Sequence, residues 1–363
     1  MKKIICLLIS FILLIMYSGG CSGSNGGYQR YRSDFFDTFD TVVTVIAYMQ
    51  SEAEFDQLSG IVHSSFLEYH QLFDIYHNYD GINNIKTIND NAGIKPVEVD
   101  ERIIYLLQQA KLWYQETNGV INIALGPVLN IWHTYRETGL ANPASAKVPP
   151  IDELRNAKEY TNIDGVIIDE QALTVYLTEK NMCLDVGAVA KGYAVEAIAA
   201  QLIEKEYDSI LISAGGNIRA IGIPKDGVRS KWGVGIKDPD SLLQYSTNEE
   251  NLLDVAFVTN TSVVSSGSYE RYYTVGDKSY HHLIDPQTLM PADYYKAVTV
   301  VTKDSLKADV LSTVLFLMPP EQSIEFAESM QDVEALWVMA GNQLVFSSGM
   351  KQLLRDMGKA SYK

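Results

Sequence analysis

Strand-like and helix-like stretches follow one another in this chain without a regular β–α–β rhythm, and that irregularity narrows the fold class first. Phe39 to Tyr48 (FDTVVTVIAY) reads as a strand rich in β-branched residues. Ser51 to Phe73 reads as an amphipathic helix, with Phe55, Leu58, Ile61, Val62, Phe66 and Leu72 near helical spacing. The Asn-rich stretch from Tyr76 to Asn91 reads as loop. Asp100 caps a helix running to about Glu116, and Asn118-Gly119 stops it. Gly126-Pro127 opens another helix, carrying Leu129 and Trp132. A Pro-rich loop from Gly139 to Pro150 comes next, then strands near Gly165–Ile168 and Leu173–Leu177. A doubly wound sheet needs strand and helix to alternate; this pattern predicts α+β.

The fold must rest on its core. Of three cysteines, Cys6 lies in an apolar leader, Cys21 directly follows it, and only Cys183 remains in the body. A lone thiol makes no intrachain disulfide. At 363 residues and 47% hydrophobic content there is material for one large domain or two lobes.

The first residues read as a targeting segment rather than fold. Lys2 and Lys3 are followed by an apolar run, Ile4 to Met16, broken only by Ser10. Ser18-Gly19-Gly20-Cys21 then resembles a bacterial lipoprotein signal, with cleavage before Cys21 and acylation of its thiol. Ser18 departs from the usual aliphatic residue. An ordinary secretory peptide with an incidental cysteine is the alternative. The expected division is a signal over 1–20, a Ser/Gly-rich tether over 21–33 and a folded domain over 34–363. Such a protein is extracytoplasmic and held to the bacterial cell membrane by acylated Cys21.

The formal charge is −16, and −18 once Lys2 and Lys3 are set aside. No basic cluster interrupts it, which excludes a nucleic-acid partner. An acidic protein that handles an anionic phosphate needs a local cation. The stretch from Ser265 to Thr313 offers a place for one. Asp309 and Thr313 are four apart, so a helix puts both on one face. They supply only oxygen, which suits a hard cation such as magnesium. The bland reading is a solvated helix face. Upstream, His282 opens a His-x-x-Asp-Pro loop, where it is a candidate for chemistry or simply a hydrogen-bonded structural histidine.

Two turns add to this. Met182 to Glu206 reads as a short apolar strand ending at Asp185, a Gly-Ala-Val-Ala-Lys-Gly turn, then a helix. Free N–H groups at a helix start, with Lys191 beside them, suit phosphate. A plain strand-to-helix connection looks similar. Ser209 to Ile223 reads as strand, Ala-Gly-Gly-Asn turn, strand. Gly215 and Gly216 there permit positive φ or close ligand approach.

DVGAVAKGYAVE, SAGGNIRAIG, SSGSYERYY, YHHLIDPQT and ADVLSTVLF, in that order, resemble the ApbE family of flavin transferases over nearly all of the mature chain. The resemblance implies an α+β, two-lobed fold with mixed or antiparallel sheets and helices around a central FAD cleft. It implies magnesium-dependent transfer of FMN from FAD to a Thr or Ser hydroxyl of an exported or membrane redox protein, with release of AMP. The implied Mg2+ ligands are Asp309, Thr313 and the Ala188 carbonyl. The implied FAD contacts are Phe39, Tyr76, Asn122, Ile123, Ala124, Asp185, Lys191 and Leu283. His282 is the implied general base, and His281 its rival, facing the other way in extended chain. Three positions depart from the family pattern: Phe39-Asp40 replaces Met-Gly, Asn122 replaces Asp, and Leu289 stands where Gly follows Thr288. The alternatives are hydrolysis of FAD to FMN and AMP at the same site, or flavin binding without catalysis.

Overall fold

The structure, a computed structural model, describes residues 26–240 and 251–363. The leader, Cys21 and the centre of the polar stretch from Asp238 to Leu253 lie outside the described residues.

Strands β1 (Gln29–Thr38) and β2 (Thr41–Met49) open the chain as an antiparallel hairpin. Two sequence expectations change here. β1 begins inside the segment 21–33 read as tether. The strand read from Phe39 starts at Thr41, because Phe39 and Asp40 are the two-residue turn. Their φ angles are 53° and 49°. Positive φ at both central residues matches the twist of the flanking strands, and Asn or Gly usually supplies it.

Helix α1 (Glu52–Phe73) begins where the Ser51 side chain accepts the Glu54 N–H. The stretch read as loop contains a short helix, α2 (Ile85–Asp90), opened by reciprocal Asn84 and Thr87 hydrogen bonds. β3 (Val97–Glu98), α3 (Glu101–Glu116), α4 (Gly126–Ala141) and α5 (Ile151–Lys158) follow. β4 (Val166–Asp169) and β5 (Thr174–Leu177) join β3 in a small antiparallel sheet, order β3-β5-β4. The apolar run ending at Asp185 is not a strand. The side chain of Asn89, on α2, takes the place of a strand partner: it accepts from Leu184 N–H at 2.7 Å and donates to Leu184 C=O at 3.0 Å.

Helix α6 (Ala190–Glu204) leads into β6 (Ser209–Ala214) and β7 (Asn217–Gly222). Gly215 and Gly216 both have positive φ, and a Cβ on Gly215 would meet Thr41 Oγ1 at 2.1 Å. The close approach is therefore to the neighbouring strand. β8 (Trp232–Lys237), β9 (Leu252–Val258), β10 (Ser262–Gly267), β11 (Tyr273–Val275), β12 (Lys278–Tyr280) and β13 (Tyr295–Thr302) continue. The chain ends through α7 (Ser305–Leu317), α8 (Pro320–Glu328), β14 (Glu334–Met339), β15 (Leu344–Phe346) and α9 (Arg355–Gly358).

The main sheet has eight strands in the order β1-β2-β6-β7-β10-β13-β14-β15, with every neighbour antiparallel. One face packs on α1 and α6 through Val43, Val45, Leu58, Phe66, Val195 and Ile212. The same layer continues under α7, where Leu311, Leu315 and Phe316 meet Val298, Val300 and Trp337. The β8–β9 ribbon covers the other face with Trp232, Val234 and Ile236. Sheet sandwiched by helices and a ribbon is the α+β class expected from the sequence.

Candidate active site

A tight polar cluster lies where α6 starts against α7. Asp309 is 6% exposed in the first half of α7, whose start is capped by Asp304. Its Oδ1 accepts from Lys191 Nζ at 2.6 Å and its Oδ2 from the Gly192 N–H at 2.8 Å. The helix starts at Ala190, so both donors belong to its first turn rather than to a loop before it. Gly192 permits this contact: a Cβ there would stand 2.5 Å from Asp309 Cβ and 2.7 Å from the Ser305 carbonyl. The Gly192 N–H donates to Asp309 instead of to Ala188, so Ala188 C=O lacks its helical i+4 donor. Thr313, one turn along α7, is half-buried and its hydroxyl makes only a 3.4 Å bond to the Asp309 carbonyl.

These groups fit a magnesium ion of a particular kind. Asp309, Thr313 and the Ala188 carbonyl offer only oxygen, and each carboxylate oxygen keeps a further lone pair. Among the described residues no group of three or more His, Cys, Asp or Glu assembles into a metal cluster. The donor set is too thin for an all-protein cage and suits a cation shared with substrate phosphates.

The two adjacent histidines have different surroundings. His281 is buried, with Nε2 bonded to the Ala292 carbonyl at 2.8 Å and Nδ1 accepting the Leu283 N–H at 3.2 Å. Both ring nitrogens are used. His282 Nδ1 faces the Glu270 carbonyl at 3.2 Å, and a carbonyl only accepts, so Nδ1 carries the proton. Nε2 therefore holds the lone pair. Burial, with Arg271 and His281 nearby, pushes the imidazole down to about 3, so the ring is neutral at ordinary pH. Glu270 ties this loop to the first cluster: its half-buried carboxyl is pushed up by desolvation, against the pull of Lys191 and with Asp309 adding to it.

The remaining predicted contacts divide. Asp185 is drawn to the Asn122–Ala124 segment by its N–H, which donates to the Ile123 carbonyl at 2.8 Å. Its carboxyl accepts from Gly187 N–H, and burial pushes it above the usual carboxylate range. Asn122 turns to a structural task, capping Ala124 N–H and donating to the Thr161 carbonyl. Ile123, Ala124 and Leu283 are buried in the core rather than open. Tyr76 is half-exposed, its ring 5.3 Å from that of His133 on α4. Burial, and then Asp185, raise its phenol, while Arg136 and Arg271 oppose them. The Phe39 carbonyl lies 3.5 Å from Arg271 Nη2. Leu289 has φ 63°, which explains why glycine suits that position. Its carbonyl accepts Trp132 Nε1 at 2.9 Å, and its side chain is 2% exposed.

Sequence reasoning passed over His133, Arg136, Arg271 and Glu270. Two of them sit inside SSGSYERYY, but nothing in their spacing assigned them a partner. The helix carrying His133 and Arg136 was legible; its face toward Tyr76 was not.

A family model for the ApbE family matches residues 39–337. The chain belongs to the ApbE family. It is 30% identical over 265 residues to an FAD:protein FMN transferase of Klebsiella pneumoniae (strain 342), spanning 73% of this chain and 77% of that protein. To the FAD:protein FMN transferase of Treponema pallidum (strain Nichols) it is 32% identical over 286 residues, spanning 75% of each. The crystal structure of the ApbE protein from Thermotoga maritima superposes with a TM-score of 0.77 at 26% identity, covering 90% of this chain and all of that one. The flavin transferase ApbE from Vibrio cholerae, at 22% identity and a TM-score of 0.71, shares the fold.

Proposed function

We propose that this chain is an FAD:protein FMN transferase that moves FMN from FAD to a Thr or Ser hydroxyl of an acceptor protein and releases AMP. The observation that carries the reading is the state of His282. Its Nδ1 proton is committed to the Glu270 carbonyl, leaving Nε2 as a neutral lone pair. In the reaction the acceptor hydroxyl oxygen bonds to the FMN-side phosphorus while the pyrophosphate P–O bond to AMP breaks. His282 Nε2 takes the hydroxyl proton. Lys191 offsets charge on the phosphate oxygens. Asp309 holds Lys191 in place. Asp309, Thr313 and the Ala188 carbonyl would hold Mg2+, which supplies charge stabilisation to the phosphates when bound. With so little covalent work for the protein, positioning of hydroxyl and phosphorus carries the rate.

The charged leader and Gly20-Cys21 junction support an extracytoplasmic, lipid-anchored protein. Mass spectrometry of the native N-terminus checks this: an acylated Cys21 is expected, and an unmodified or differently placed terminus rejects the anchor alone.

Incubation with FAD, magnesium and a candidate acceptor tests the activity. A flavin-labelled acceptor with stoichiometric AMP is expected. Free FMN plus AMP identifies a hydrolase, and unchanged bound FAD a flavin-binding protein; either outcome rejects transfer.

A further inference from the structure

A chain of hydrogen bonds joins the Phe39–Asp40 turn to the Tyr76 loop, and the donors force its direction. The Phe39 N–H can only donate, so His70 Nδ1 accepts, at 3.3 Å. A neutral His70 then carries its proton on Nε2, which faces Tyr79 Oη at 3.3 Å. The Tyr79 hydroxyl donates to Asp74 Oδ2 at 2.8 Å. Burial and the Asp74 carboxylate push that phenol up to about 12, so it stays a donor. Asp74, itself buried, accepts the Tyr76 N–H at 2.6 Å and the His77 N–H at 3.2 Å on Oδ1. Every link is matched, from the Phe39 turn to the Tyr76 backbone.

The turn needs such a holder. Phe39 and Asp40 both sit at positive φ without a glycine, a conformation that side-chain-bearing residues adopt at a cost. The neighbouring Thr38 hydroxyl is buried with no hydrogen-bond partner among the described residues, so it does not fix the turn. Phe39 also packs edge-on against His70 and Phe66. On its other side, the Phe39 carbonyl meets Arg271, next to the Glu270 carbonyl that orients His282.

We propose that His70 and Tyr79 are positioning residues that lock the Phe39–Asp40 turn and the Tyr76 loop into one unit and thereby set the grip on the flavin half of FAD. The proposal rests on the flavin-transferase reading above and on Phe39 and Tyr76 being the FAD contacts that the family resemblance implies. His70 lies near the end of α1 and Tyr79 in the loop after it, so the chain joins segments that secondary structure alone leaves independent.

Binding of FAD, FMN and ADP to the full chain tests it, by equilibrium dialysis with wild type, Tyr79→Phe, His70→Ala and His70→Gln. Tyr79→Phe keeps the ring and removes one link; it should weaken FAD and FMN alike by about three- to tenfold. ADP binding should not change. His70→Ala should do at least as much, and His70→Gln, whose amide both donates and accepts, should restore part of the loss. Melting temperature is read in parallel. A lower melting temperature with unchanged flavin affinity, or equal losses for FMN and ADP, overturns the proposal. A wild type that binds neither FAD nor FMN removes the flavin reading beneath it, and the proposal with it.

Discussion

The two regions proposed to meet the phosphate and flavin halves of FAD are built differently. In the region proposed to meet the phosphates, two helices meet at one glycine. Lys191 and Gly192 from one turn of α6 close on Asp309 of α7, with 2.6 and 2.8 Å bonds. In the region proposed to meet the flavin, Phe39, Tyr76, Asp185 and Arg271 come from a hairpin turn and three further loops; Phe39 meets Arg271 at 3.5 Å and reaches the Tyr76 loop only through His70, Tyr79 and Asp74. The first is a rigid junction that tolerates little change. The second is an assembly whose parts are held by neighbours, two of them in strained backbone. The junction should therefore govern chemistry, and the assembly affinity.

Breaking the junction should have the largest effect. Asp309→Ala leaves Lys191 and the Gly192 N–H unpaired and removes the only carboxylate among the proposed magnesium ligands. Turnover should fall below detection while the circular dichroism spectrum stays native; full activity with normal magnesium dependence would unmake the site. Gly192→Ala sharpens the point, since it adds only a methyl. The contacts at 2.5 and 2.7 Å require α6 and α7 to part, which should cost about 1–3 kcal/mol in denaturant unfolding and lower turnover as well.

A pH measurement tests the surroundings of His282. Burial pushes the His282 imidazole down to about 3 in the folded state, from about 6.5 when unfolded. The unfolded chain binds more protons between those values, so stability is complete above about 6.5 and declines as pH falls toward 3. His282→Gln should flatten that decline and shift acid unfolding to lower pH. An unchanged acid-unfolding curve would count against burial of the ring. The smallest effect is expected on the flavin side: Asp40→Gly, at an exposed residue with φ 49°, should change stability by no more than about 1 kcal/mol, in the favourable direction. A clear loss would mean the Asp40 side chain holds the turn.

The same contrast explains what the sequence revealed. Asp309, Thr313, Lys191 and His282 lie in short motifs whose spacing is also their geometry: one helix face, one helix start, one loop. The flavin side is long-range. Phe39 looked like the start of a strand because its neighbours are β-branched, and only positive φ makes it a turn. Helix α2 was hidden by Asn-rich composition, with Thr87 where a capping box usually carries Glu or Gln. The run before Asp185 is apolar and strand-like, but its partner is the side chain of Asn89. His70, Asp74 and Tyr79 left no motif, because their meaning depends on where Phe39 and Tyr76 end up.

Parallel measurement of FAD dissociation constant and saturated turnover in His282→Ala and Tyr79→Phe tests the division of labour most directly. His282→Ala should lose about 100- to 10,000-fold in turnover with FAD affinity retained. Tyr79→Phe should lose affinity with saturated turnover retained. If both variants lose the same parameter, or if His282→Ala turns over like wild type, chemistry and grip are not separated in the way the structure implies.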